Sequence, residues 1–310
     1  MEVSTVLSSI AIMTIMIGIG SLLTLRVPFT AERRELLMTL IVNVALPFII
    51  ISGVFHTRMD GQFLLLILGT FVISIIVNCI GIAMGWLAAR SIGAGHEKVR
   101  EMAILSGLGN TGFIGLPLCA MLFGAKGGVL AAVFDSGLDF TIWTLGVMML
   151  QRKKFSFRSL KELINIPMMA IVTGLLVAVL KLSPPFFLIR LSDSLASLAS
   201  PLAMIYIGML IPSLLRKKSA SIRQIGMPLI MKLLIFPVVI ALLVHIVPLH
   251  KEITQVVIVQ STMPTISLAS ILFARYSADE EYGAMATVFS TLLSMMTIPF
   301  MIAVGFYILK

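Results

Sequence analysis

The chain has 310 residues, of which 59% are hydrophobic and only 12% charged, where an ordinary soluble domain carries about 25% charged residues. A chain this apolar cannot cover its own surface in water, so a water-soluble globular fold is excluded. The net charge of +9 is unaccompanied by any nucleic-acid-binding motif, so no nucleic-acid partner is expected, and two cysteines inside apolar runs argue against a disulfide framework.

Apolar runs recur from end to end, and a bilayer core needs roughly 20 residues of each. Ten spans are predicted, at 4–25, 37–55, 62–89, 100–123, 128–150, 163–181, 194–215, 225–247, 252–274 and 282–308. The first lacks the basic start and small-residue cleavage site of a signal peptide, so it is expected to remain as a span. Span 4 carries the sharpest feature of the chain. Ser106-Gly107-Leu108-Gly109-Asn110-Thr111-Gly112-Phe113-Ile114-Gly115-Leu116-Pro117 puts four glycines, an Asn and a Pro at mid-span. Glycine and proline weaken a helix, and irregular backbone at membrane depth has to be buried in protein or face a wet cavity. The run therefore predicts a broken helix and a binding site, whose half-helix N-terminus suits a carboxylate. The same glycines also permit close helix packing, but packing alone needs no amide.

Span 5 holds two acids, Asp135 and Asp139, four residues apart and so on one helix face. An acid at this depth is expected to serve ion or proton coupling. Span 8 holds Lys232, which reads as a substrate counter-charge, as a partner of Asp135 or Asp139, or as a side chain snorkelling to the interface. Span 9 carries Gln260-Ser261-Thr262-Met263-Pro264-Thr265, a second polar cluster around a mid-span proline. Paired with span 4, it points to a midplane site built from Asn110, Thr111, Gly112, Pro117, Gln260, Ser261, Pro264 and Thr265.

The loops orient the spans. Odd-numbered loops carry 16 of the 23 Lys and Arg, even-numbered loops and the C-terminus six, and Lys232 lies inside a span. The positive-inside rule then places both termini on the extracytoplasmic side of the cell membrane. A weak internal repeat joins Ala132-Val133-Phe134-Asp135 to Thr287-Val288-Phe289-Ser290 at an offset of 155, and Leu122-Phe123 to Leu272-Phe273 at 150, where Asn110-Thr111 falls on Gln260-Ser261. Five spans per half is an odd number, so residues 156–310 are expected to run inverted relative to 1–155. The expected fold is thus all-α, integral to the membrane, with ten spans in a 5+5 inverted repeat.

The run Asn110-Thr111-Gly112-Phe113-Ile114-Gly115-Leu116-Pro117-Leu118 resembles the span-4 motif of the auxin efflux carrier family, which includes plant carriers and bacterial permeases for malate, malonate and similar acids. Asn43-Val44-Ala45-Leu46-Pro47, Ser200-Pro201-Leu202-Ala203 with Gly208, and Met263-Pro264 through Ala274-Arg275-Tyr276 resemble its other patterns, so the likeness covers essentially the whole chain. The resemblance implies crossing broken helices at spans 4 and 9, as in bile-acid transporters and sodium/proton antiporters. It also implies a scaffold of spans 1, 2, 6 and 7, a transport domain of spans 3–5 and 8–10, and a homodimer through the scaffold. The expected function is a secondary carrier for a small organic anion, with membrane lipids as partners and no cofactor beyond H+ or Na+ as coupling ion. The alternative is a cation/proton antiporter of the same fold using Asp135 and Asp139. No nucleophile elbow, catalytic dyad or metal-ligand spacing appears, so an enzyme is not expected.

Overall fold

The computed structural model describes residues 3–57, 61–151, 164, 166–180, 182, 184–215 and 222–310. The loop cations Arg58, Arg152, Lys153, Lys154, Arg158, Lys161, Lys181, Arg216, Lys217 and Lys218, and the expected half-boundary at 155/156, lie outside the described residues.

Fifteen α-helices follow one another among the described residues, with no strand. They are α1 (Val3–Leu23), α2 (Ala31–Leu40), α3 (Leu46–His56), α4 (Gly61–Ser91), α5 (His96–Gly107), α6 (Leu116–Thr141), α7 (Val147–Gln151), α8 (Ile166–Val179), α9 (Phe186–Ala196), α10 (Ala199–Leu215), α11 (Ile222–Ile230), α12 (Phe236–Ile246), α13 (Lys251–Ser261), α14 (Ala269–Arg275) and α15 (Glu280–Ile308). Among the described residues six continuous stretches are long and apolar enough to cross a membrane: Glu32–His56, Gly61–Ser91, Thr111–Leu150, Phe186–Met209, Ile225–Ile246 and Glu280–Ile308. For spans 4, 5 and 9 the difference from ten has local causes. The stretch Thr111–Leu150 contains Gly124 at φ 68°, ψ −159°, a left-handed conformation that glycine adopts without strain. The helical path is broken there. In spans 4 and 9 the helices α5 and α13 stop at Gly107 and Ser261, and each is too short to cross alone.

Among the described residues four wide π-type turns interrupt the helical ladders, at Ile41–Ala45, Thr111–Gly115, Ile142–Gly146 and Met231–Ile235. Three of them are followed, two residues beyond their last member, by a proline: Pro47, Pro117 and Pro237. Proline has no N–H and its ring crowds the carbonyl four residues back, so the preceding turn widens to re-place that carbonyl.

The chain divides into two compact units. One comprises Met1–Ile67, Gly112–Val133 and Asn165–Lys218; the other comprises Leu68–Thr111, Phe134–Ile164 and Ser219–Lys310. Within the first, α1 and α10 pack with their backbones in contact: a Cβ on Gly20 would collide with the carbonyl of Ile205, and one on Gly208 with that of Ile17. Small residues allow this approach, which in lipid replaces the hydrophobic drive available in water. Elsewhere in that unit the Ser52 hydroxyl donates to Asp193 (2.6 Å), His56 Nδ1 lies 3.5 Å from the same carboxylate, and Arg34 Nε donates to the Tyr206 hydroxyl at 3.0 Å.

Within the second unit α4 lies against α5, where a Cβ on Gly81 would come within 2.8 Å of the Gly107 Cα. The apolar core gathers Leu105, Leu108, Leu233, Ile266, Phe273 and Tyr282. One end is closed by a polar clamp. Lys98 Nζ pairs with Glu101 (2.9 Å) and Asp279 (2.8 Å) and sits over the Tyr282 ring at 3.6 Å, while Asp279 caps α15 through the Tyr282 N–H at 2.9 Å. Burial works against the Asp279 charge, but the Lys98 ammonium and the backbone N–H of Tyr282 outweigh it and hold the carboxyl below its usual range.

Two outcomes follow. Gly208→Leu should destabilise the folded protein by about 1–3 kcal/mol through overpacking, read as a lower melting temperature in detergent. Gly18→Leu, whose Cβ meets nothing within 4 Å, should melt near the wild type; equal melting of both variants contradicts the α1–α10 contact. Because the Asp279 carboxyl is held low in the folded state, its contribution is fully present above the ordinary Asp value of about 3.9 and is lost as pH falls through the lowered one. Asp279→Asn should therefore flatten the acid limb of a stability-against-pH curve, and an unaltered limb refutes the clamp.

Candidate functional site

The site starts from two interrupted helices that need each other. After α5 ends at Gly107 the chain runs extended through Leu108 to Asn110, and after α13 ends at Ser261 the chain runs from Thr262 to Leu268 before α14 begins. Backbone groups freed at such breaks are costly in hydrocarbon, so they must find partners inside the protein. Here the two breaks pair with one another. Gly109 and Thr265 form an isolated antiparallel bridge, the Asn110 N–H donates to the Pro264 carbonyl (2.7 Å), and the Ile266 N–H donates to the Leu108 carbonyl (3.2 Å).

Side chains complete the crossing. The Thr265 hydroxyl donates to the Leu105 carbonyl at 3.0 Å, and its N–H donates to the Ser290 hydroxyl at 3.1 Å. The Thr287 hydroxyl donates to the Ile266 carbonyl at 2.9 Å. Asn110 Nδ2 donates to the Ser267 hydroxyl (2.5 Å), Gln260 Nε2 to the Thr111 carbonyl (3.4 Å), and the Thr111 hydroxyl to Asp135 Oδ1 (2.5 Å). Asn110, Thr111, Gln260, Pro264 and Thr265 are all buried. Five polar side chains singled out in the sequence, Asn110, Thr111, Asp135, Gln260 and Thr265, thus meet in one unit.

The other expected residues are placed differently. Ser261 is buried beside them, but its hydroxyl donates back to the Ile258 carbonyl at 2.7 Å. Gly112 and Pro117 fall in the other compact unit, where the Pro117 carbonyl accepts from Ser200 at 2.8 Å. Asp139 lies one helical turn beyond Asp135 and is half-buried. Lys232 is 1% exposed on the turn Met231–Ile235, with its ammonium 4.3 Å from the centre of the Phe236 ring. It does not snorkel, and among the described residues no ion pair joins it to Asp135 or Asp139. A Cβ on Gly109 would lie 3.1 Å from the Lys232 Nζ, so the ammonium rests on the break of span 4.

Sequence reasoning missed a polar stripe on α4. Thr70, Ser74 and Asn78 are fully buried; Ser74 donates to the Phe134 carbonyl at 2.5 Å, and Asn78 Nδ2 donates to the Ser74 carbonyl at 2.8 Å. The signal was their spacing of four residues within an apolar run, which places them on one helix face. The stripe braces the chain at the residue before Asp135.

The profile of a family described as membrane transport protein matches residues 5–158 and 153–302 of the chain. An uncharacterized transporter of Methanothermobacter thermautotrophicus is 24% identical over 270 residues, covering 86% of this chain and 88% of its own. An uncharacterized transporter of Methanocaldococcus jannaschii is 25% identical over 275 residues, with the same shares covered.

Thr265→Val removes the hydroxyl and leaves the buried Leu105 carbonyl short of a partner, which should cost about 1–3 kcal/mol. Thermal unfolding in detergent checks this; a variant as stable as the wild type shows that the crossing does not depend on that bond.

Proposed function

The chain belongs to the membrane transport protein family, and from that premise we propose that it is a secondary carrier for a small organic anion, binding its carboxylate where the breaks of spans 4 and 9 pair. It is a multi-pass membrane protein, as its long apolar helices and its family indicate. The observation that carries the reading is the mutual pairing of the two breaks around buried neutral donors. Asn110 and Gln260 offer the second N–H of their amides, and the helix that begins at Thr111 offers the partial positive charge of its N-terminus. Such groups replace the water of an anion better than that of a cation.

The fold proposed is ten spans in two inverted halves, with both termini outside. The pairing supports the inverted halves. Gly109 and Pro264 are separated by the 155 residues that separate Asn110 from Thr265, and the ladder exchanges these pairs. The same offset relates Asp135, which accepts from Thr111, to Ser290, which accepts from Thr265. The offset of 150 aligns Asn110 with Gln260 instead, which does not reproduce this ladder. The division into units also supports a scaffold and a transport domain: one unit holds spans 1, 2, 6 and 7, the other spans 3, 8, 9 and 10, with residues 112–133 grouped with the first. Transport is then by alternating access, driven by a proton or sodium gradient, and a homodimer through the scaffold fits this reading.

The second reading, a cation/proton antiporter on the same fold, has one observation in its favour: Asp135 is bound directly to the break through Thr111. Uptake into proteoliposomes separates the two. A panel of acetate, benzoate, malonate, succinate and malate, with and without proton and sodium gradients, should reveal carboxylate accumulation. Sodium or proton exchange with no carboxylate uptake sinks the anion reading. Asp139→Asn should abolish gradient-driven uptake while the protein stays folded; gradient dependence like that of the wild type removes Asp139 from coupling.

A further inference from the structure

Lys232 lies near the crossing, and the fold leaves its burial chemically unexplained. Its side chain is fully buried on a widened turn inside span 8, and widened turns of this kind recur at functional sites. The turn itself is accounted for by Pro237, but the lysine on it is not. Among the described residues Lys232 makes no hydrogen bond and no ion pair. Its single polar compensation is the Phe236 ring at 4.3 Å, a contact too weak to offset burial of an ammonium. A buried cation without a counter-charge in a membrane protein marks a place where one arrives.

The direction in which the ammonium points is fixed by Gly109. A Cβ there would stand 3.1 Å from Nζ and 3.3 Å from Cε, so the charge lies on the bare backbone of the span-4 break, one residue before Asn110 and two before the helix that starts at Thr111. Two positive features, the ammonium and that helix N-terminus, converge on one spot. The nearby carboxylate, Asp135, is engaged by the Thr111 hydroxyl and is not within ion-pair distance of Lys232. The other groups at the break, Asn110, Thr111 and Gln260, are neutral.

Building on the carrier reading above, we propose that Lys232 is the fixed positive charge that binds the substrate carboxylate, and that Gly109 is the residue whose missing side chain lets it reach the site. With a single counter-charge and otherwise neutral donors, the site selects a monoanion: the second carboxylate of a dianion would be buried unpaired.

The test uses the full chain in proteoliposomes with acetate, benzoate, malonate and succinate as probes. The wild type should take up a monocarboxylate in preference to either dicarboxylate. Lys232→Gln should raise the half-saturation for that monocarboxylate by about 30-fold or more and abolish the thermal stabilisation it gives the purified protein, while the unliganded melting temperature does not fall. Lys232→Arg should keep most of the affinity. If Lys232→Gln does not fold, Gly109→Ala decides, since it pushes the ammonium aside without removing it and should raise half-saturation about 10-fold. Half-saturation in Lys232→Gln within threefold of the wild type, or no change in Gly109→Ala where it has to decide, overturns the role of Lys232 and leaves the carrier reading standing. Preference for a dicarboxylate overturns the monoanion assignment. A wild type that takes up none of the four carboxylates overturns the carrier reading, and this proposal with it.

Discussion

In hydrocarbon a backbone N–H or C=O without a partner costs several kcal/mol, and nothing outside the protein supplies one. Everything that distinguishes this chain from a bundle of plain spans follows from how it meets that constraint at two places. Gly107 and Ser261 end their helices in mid-run, and the freed groups of one break are satisfied by those of the other through Gly109–Thr265, Asn110–Pro264 and Leu108–Ile266. Neither break is tenable alone. Side chains from α15 supply the remaining partners through Ser290 and Thr287. The result is a small island of irregular backbone, held on several sides, at which polar side chains are buried.

Proline sets where such irregularity can occur. Pro47, Pro117 and Pro237 each follow a widened turn two residues on, so the loss of one hydrogen bond is spread over a whole turn instead of producing a sharp kink. Two of these turns lead directly to the site: Thr111–Gly115 opens the second half of span 4, and Met231–Ile235 carries Lys232. The same element that relieves backbone strain therefore presents the side chains proposed for the site.

Much of this was legible in the sequence because its signals are local. The run from Gly107 to Pro117 reads as a break because glycine, asparagine and proline have intrinsic conformational meaning, and Asn110, Thr111, Gln260, Pro264 and Thr265 were all drawn from such runs. What escaped was set by tertiary partners. The partners of Pro117 and Ser261 could not be read in advance: the Pro117 carbonyl accepts from Ser200, and the Ser261 hydroxyl turns back on its own helix. The stripe of Thr70, Ser74 and Asn78 was visible as spacing but had no meaning until Ser74 met the Phe134 carbonyl. Lys232 left three readings open because depth along a helix is not burial; its burial against Gly109, more than a hundred residues away in sequence, is set by the tertiary fold.

The central claim is that the two breaks are held together as a preformed site that closes on an anion. Hydrogen exchange followed by mass spectrometry, on the protein reconstituted in lipid, reads this directly. Peptides spanning 105–115 and 259–268 should exchange slowly although they are not continuous helix, because the Asn110 and Ile266 amides are donated across the crossing, and a transported carboxylate should slow both peptides further and together. Exchange in either segment as fast as in the connecting loops, or protection of one without the other, would contradict it.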